Sequence, residues 1–102
     1  MAKYKCASVK EFANWLEGND IGIEKIYMHT HGQPPLEVSA MFYNMALNIA
    51  SNKIELQGID SVFTVSCIQS ITVTTSKRYR SVAVCVECEH GTGAYNFDLK
   101  LL

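Results

Sequence analysis

The chain has 102 residues, with nine basic and ten acidic side chains and a formal net charge of −1, so no global field draws it toward nucleic acid or an acidic membrane. Hydrophobic residues make up 48 % and charged residues 19 %, with only two prolines, which argues against disorder and low complexity and predicts a single domain over residues 1–102. Met1-Ala2-Lys3-Tyr4-Lys5-Cys6 lacks the apolar run of a secretory signal, and no window approaches the roughly 18 apolar residues of a membrane span, so a cytoplasmic protein with reduced thiols is expected.

Ser8-Val9-Lys10-Glu11 matches a capping box, in which a serine oxygen accepts from an early helix amide and a glutamate reaches back to the cap amide. Val9, Phe12, Ala13 and Leu16 follow at helical spacing, which predicts an amphipathic helix over residues 9–17, closed by a left-handed Gly18. Phe12 and Trp15 read as its anchors on the rest of the fold; a Trp15 that stacks a ligand is the second reading. From 21 to 31 the apolar spacing fits either a strand or a short helix, and the strand is preferred because Gly32-Gln33-Pro34-Pro35 breaks a helix and Leu36, Val38, Ala40 and Phe42 then alternate. Residues 41–50 are read as extended, with a helix as the alternative, since Met, Ala and Leu are good helix formers. Ser51-Asn52-Lys53 predicts a turn, Ile54 and Leu56 open a short strand, and Gly58 with Asp60-Ser61 ends it.

The clearest signal runs from Phe63 to Leu101. Phe63, Val65, Cys67, Ile71 and Val73 share one parity with Gln69 the exception, Val82, Val84, Val86 and Cys88 share another, and Tyr95, Phe97, Leu99 and Leu101 a third. Alternate side chains of a strand point to opposite faces, so this pattern predicts a three-stranded antiparallel meander with reversals at Ser76-Lys77-Arg78 and Gly91-Thr92-Gly93. The sum is an α+β fold: one N-terminal amphipathic helix packed on a mainly antiparallel β-sheet of five to seven strands, ending in the meander.

Several groupings carry chemistry. Cys85-Val86-Glu87-Cys88-Glu89-His90 contains zinc-ligand types, but on a continuous strand residues 85 and 88 point to opposite faces, which leaves Cys88 and His90 as weak metal candidates and no metal or cofactor expected. His29-Thr30-His31 puts two imidazoles on one face of a strand, so His29, His31 and His90 are the candidates for acid–base catalysis, provided they converge. No nucleophile elbow, phosphate-cradling glycine loop or paired-carboxylate motif occurs. Lys77-Arg78-Tyr79-Arg80 is the densest positive charge and the candidate partner-binding segment, suited to an acidic protein or, as the third reading, to phosphates with Tyr79 stacking a base.

Thr64, Ser66, Ser70, Thr72, Thr74 and Ser76 form an uncharged hydroxyl row interrupted by Ile68, and strands without charge are poorly protected against pairing with another sheet. The central strand also places Ala83 and Cys85 opposite its valines, so both of its faces are apolar and a second copy is a sensible cover for one of them. These features point first to a non-enzymatic binding or assembly module that self-associates, second to a histidine-based enzyme, and third to a nucleic-acid binder. No motif here assigns the chain to a family.

Overall fold

The computed structural model describes residues 2–30, 39–76, 78, 80–89 and 94–102, with the backbone alone at residues 29, 30, 39 and 40. In chain order the elements are β1 (Ala2–Cys6), α1 (Val9–Gly18), β2 (Ile23–Thr30), β3 (Ser39–Phe42), β4 (Asn44–Asn48), β5 (Lys53–Gln57), β6 (Val62–Val65), β7 (Ile68–Ser76), β8 (Ser81–Cys88) and β9 (Ala94–Leu101). They form a six-stranded sheet in the order β1-β7-β8-β9-β2-β3 and a three-stranded sheet in the order β4-β5-β6. Neighbouring strands pair antiparallel throughout. The expected α+β class and the meander, β7-β8-β9, are both present.

Register explains the core. Val73, Val84, Phe97 and Met28 are successive partners across four strands, and Val82, Leu99, Ile26 and Phe42 form the adjacent row. All eight are buried. Each such side chain taken out of water contributes about 1.5–3 kcal/mol, so these two rows hold the large sheet to whatever covers them. The cover is α1 together with the small sheet: Val9 and Phe12 of the helix and Ile54, Leu56 and Val65 of the small sheet are buried in the same cluster. Phe63 of β6 meets Tyr95 of β9 edge to face, with centroids 5.5 Å apart.

Several local features differ from the expectation. The spacing predicts one strand from Phe63 to Val73, and the structure divides it between the two sheets: β6 pairs with β5, whereas β7 pairs with β1 and β8. Cys67 lies at the division with φ 55°, a left-handed residue that turns the chain from one sheet into the other, and it is exposed rather than a core hydrophobe. Next to it the register of β7 shifts between Ile68 and Ser70, a bulge that places Gln69 outside and lets Ile68 join the core despite its even parity. Thr64 and Ser66 therefore do not continue the hydroxyl row of β7.

The helix also closes differently. Ser8 Oγ accepts from the Glu11 amide at 3.4 Å, but the Glu11 carboxylate takes the amide of Ala7, at 2.6 Å, instead of the cap amide. Gly18 remains helical and the left-handed residue is Asp20, φ 52°. Asp20 N–H donates to the Glu17 carbonyl at 3.2 Å and Ile21 N–H to the Leu16 carbonyl at 3.1 Å, the two bonds of a Schellman closure shifted two residues along the chain. Finally, β1 is a strand that the chain-order pattern does not separate from a polar start, although Ala2, Tyr4 and Cys6 do alternate with Lys3 and Lys5.

One side chain ties the layers together. Asn52, in the turn between β4 and β5 with φ 53°, accepts from the Val9 amide at 2.8 Å and donates to the Ile68 carbonyl at 3.1 Å. It thus joins the first turn of α1, the small sheet and the bulge of β7. The layers it fixes all lie on one face of the large sheet.

Candidate functional site

The opposite face of the large sheet is left open. Lys3, Thr74, Ala83, Asp98, Tyr27 and Met41 are successive partners across all six strands, and Lys5, Thr72, Cys85 and Asn96 form the next row. None of these ten is buried, and among the described residues no element lies over them. The centre of the face is small and uncharged, Thr72, Thr74, Ala83 and Cys85, with Lys3 on one flank and Asp98 on the other. Between those flanks runs a shallow trough of about 330 Å³. Cys85 sits in it half-buried; burial pushes its thiol pKa up, Glu87 raises it further, and Lys3 acts in the opposite direction, so both charges are felt at the centre of the face.

A second feature is the crossing from the large sheet to the small one. Met41 and Tyr43 flank the passage from β3 to β4, and Ile59 and Val62 flank the turn from β5 to β6. The two turns are adjacent, since Tyr43 N–H donates to the Gln57 carbonyl at 2.9 Å and Gly58 N–H to the Ser61 carbonyl at 2.8 Å. Ile59 is 81 % and Val62 64 % exposed, and Met41 and Tyr43 are exposed as well, so this rim is apolar and wet.

The third is a groove of about 700 Å³ where the closed end of α1 meets the β7–β8 hairpin. Trp15, Ile21 and Leu101 supply apolar wall, and Ser76, Ser81 and Arg80 supply polar groups. Arg80 is held there by its own backbone: its φ is 48°, its carbonyl accepts from Leu101 N–H at 3.0 Å, and its Nη2 donates to the Leu102 main-chain oxygen at 2.6 Å.

Of the partner-binding segment, Arg78 and Arg80 are exposed, and Arg80 lines the groove that Trp15 also lines; Lys77 and Tyr79 lie outside the described residues. His31 and His90 also lie outside them, as does the side chain of His29, so the catalytic candidates are not brought together or separated by anything described. Cys88 is buried in the core beneath Ile68, where burial first and the nearby Cys67 second raise its thiol pKa. Among the described residues no cluster of three His, Cys, Asp or Glu side chains is arranged to hold a metal, and no helix is long and apolar enough to cross a membrane. Lys3 escaped the sequence pattern because its placement depends on β1 joining the sheet beside β7, whereas Asp98 falls on the polar face of the third meander strand. The signal available was the alternation of Lys3 and Lys5 with Ala2, Tyr4 and Cys6. Comparison with protein-family models, with curated proteins and with solved structures gives no match.

Proposed function

We propose that this protein is a small non-enzymatic assembly module whose open sheet face takes the same face of a second copy. The observation that carries the reading is the one-sided cover: helix and small sheet both pack on one face of the six-stranded sheet, and the other presents small side chains at its centre, with Lys3 and Lys5 on one flank and Asp98 beside Lys100 on the other. Lys3 and Asp98 lie three strands apart in one row, about 14 Å at the usual strand spacing, too far for them to pair within a chain. A two-fold axis parallel to the strands, between β7 and β8, brings each Lys3 over the other copy's Asp98. It also sets Thr74 over Ala83 and Thr72 over Cys85, side chains small enough for two sheets to stack at about 10 Å.

Four overlapping strands cover roughly 500 Å² per copy in projection, less than the roughly 800 Å² of a standard interface, so the dimer is weak and dilutes apart. Light scattering coupled to size exclusion over a range of concentrations tests it. Ala83→Arg, on an exposed position, should give a monomer at every concentration. A second reading has its own observation, the exposed rim of Met41, Tyr43, Ile59 and Val62, since apolar patches of this kind mark contact surfaces. Ile59→Glu distinguishes the two: if it disperses the dimer and Ala83→Arg does not, the rim is the interface.

A further inference from the structure

The groove beside the hairpin is independent of the open face and asks for a different occupant. We propose that it binds a small organic carboxylate, with the carboxylate on Arg80 and an apolar body against Trp15 and Ile21. At about 700 Å³ it falls within the range of small-molecule sites, and it combines an apolar wall with a few convergent polar groups, as such sites do. The guanidinium has five N–H donors in a fixed fork, and Nη2 spends one on the Leu102 oxygen. That bond and the left-handed backbone of Arg80 hold the fork in place before a ligand arrives, so little side-chain order remains to be lost on binding. Ser76 and Ser81, paired at the hairpin end of β7 and β8, line the groove as well.

Charge decides between anions. Asp20 lines the groove too and offsets part of the Arg80 charge, so each added negative charge on a ligand is repelled, and a phosphate monoester carrying nearly two is disfavoured more than a monoanion on the Arg80 fork. The apolar wall of Trp15, Ile21, Val82 and Leu101 requires a body with some hydrocarbon or an aromatic ring; a bare acetate would leave it wet.

Trp15 is the only tryptophan in the chain, so its emission, excited where phenyl rings do not absorb, reports directly on the groove. The probe is 3-phenylpropionate, titrated to about 10 mM, a range that reads dissociation constants down from the millimolar. The expected result is a saturable change in Trp15 emission, with the neutral 3-phenylpropionamide at least about tenfold weaker because it lacks the charge-assisted bonds. Arg80→Gln should weaken 3-phenylpropionate by a similar factor and leave the amide unchanged, while Arg80→Lys, which keeps charge without the fork, should fall between. Far-ultraviolet circular dichroism and the urea midpoint check that each variant is folded; should Arg80→Gln not fold, Ile21→Ser, which removes apolar wall, should weaken the carboxylate and the amide alike. No saturable change, an amide that binds as well as the acid, or tighter binding of phenyl phosphate than of the carboxylate would each overturn the assignment.

Discussion

Replacing Asn52 by alanine removes the one side chain that joins the helix start, the small sheet and the β7 bulge. Two hydrogen bonds are lost, from the Val9 amide and to the Ile68 carbonyl. Each contributes about 1 kcal/mol net, and because Asn52 is half-buried, water replaces only part of what the two backbone groups lose. Alanine must also hold φ 53°, at about 1 kcal/mol for a residue with a Cβ and no local hydrogen bond. The total is about 3 kcal/mol, a large fraction of the stability of a domain this size. Two further variants separate the contributions. Asn52→Gly loses both bonds but is at ease in the left-handed region, so it should cost about 2 kcal/mol. Asn52→Asp keeps the acceptor for Val9 and adds a negative charge at the helix N-terminus while losing the donor to Ile68, so it should cost about 1 kcal/mol. Urea unfolding with a common slope measures all three. An alanine variant within about 0.5 kcal/mol of the parent, or a glycine variant as unstable as the alanine one, would refute the reasoning.

Other outcomes follow from the thiols and the core. Cys67 is exposed while Cys6 and Cys88 are buried, so an aromatic disulfide reagent should modify one thiol at once, Cys85 more slowly, and the remaining two only in denaturant. Burial raises the pKa of Cys6, Cys85 and Cys88, with Glu11 adding to it at Cys6, so each keeps its proton longer when folded than when unfolded. Their contribution is complete below the ordinary thiol value, about 8.5, and is lost as pH rises through the folded pKa values, so urea midpoints in reductant should fall between neutral and strongly alkaline pH. The decline should flatten when Cys6 and Cys88 are replaced by alanine. Phe97→Ala, in the core row with Val84 and Met28, should cost about 3–5 kcal/mol by the cavity it leaves, with Tyr27→Ala on the open face costing much less.

The fold class and the meander were legible because long strands with one buried face leave a period-two record, and β7, β8 and β9 each bury alternate residues. Where that record fails, a single backbone event breaks the parity. The bulge at Gln69 and the left-handed Cys67 make an apparent single strand into two, and neither glycine nor proline marks the spot. Asp20 closes the helix by the same liberty, in place of the more permissive Gly18. The open face was half visible. Thr72, Thr74, Ala83, Cys85 and the Asp98 flank are read from the alternation of β7, β8 and β9, whereas Lys3 comes from β1, whose place beside β7 is a matter of tertiary packing that no local pattern encodes. Arg80 stood out by charge, but the groove it shares with Trp15 brings in residues 65 positions apart along the chain and follows only from where the helix ends.

Light scattering on the charge-exchange pair tests the assembly reading most directly. Asp98→Lys alone places a lysine opposite the other copy's Lys3 and should give a monomer at concentrations where the parent dimerises, as should Lys3→Glu. The double variant Lys3→Glu with Asp98→Lys restores two opposite-charge pairs about the two-fold axis and should recover the dimer, more so at low ionic strength. A parent chain that remains monomeric at millimolar concentration, or a double variant no more associated than either single one, would contradict the account.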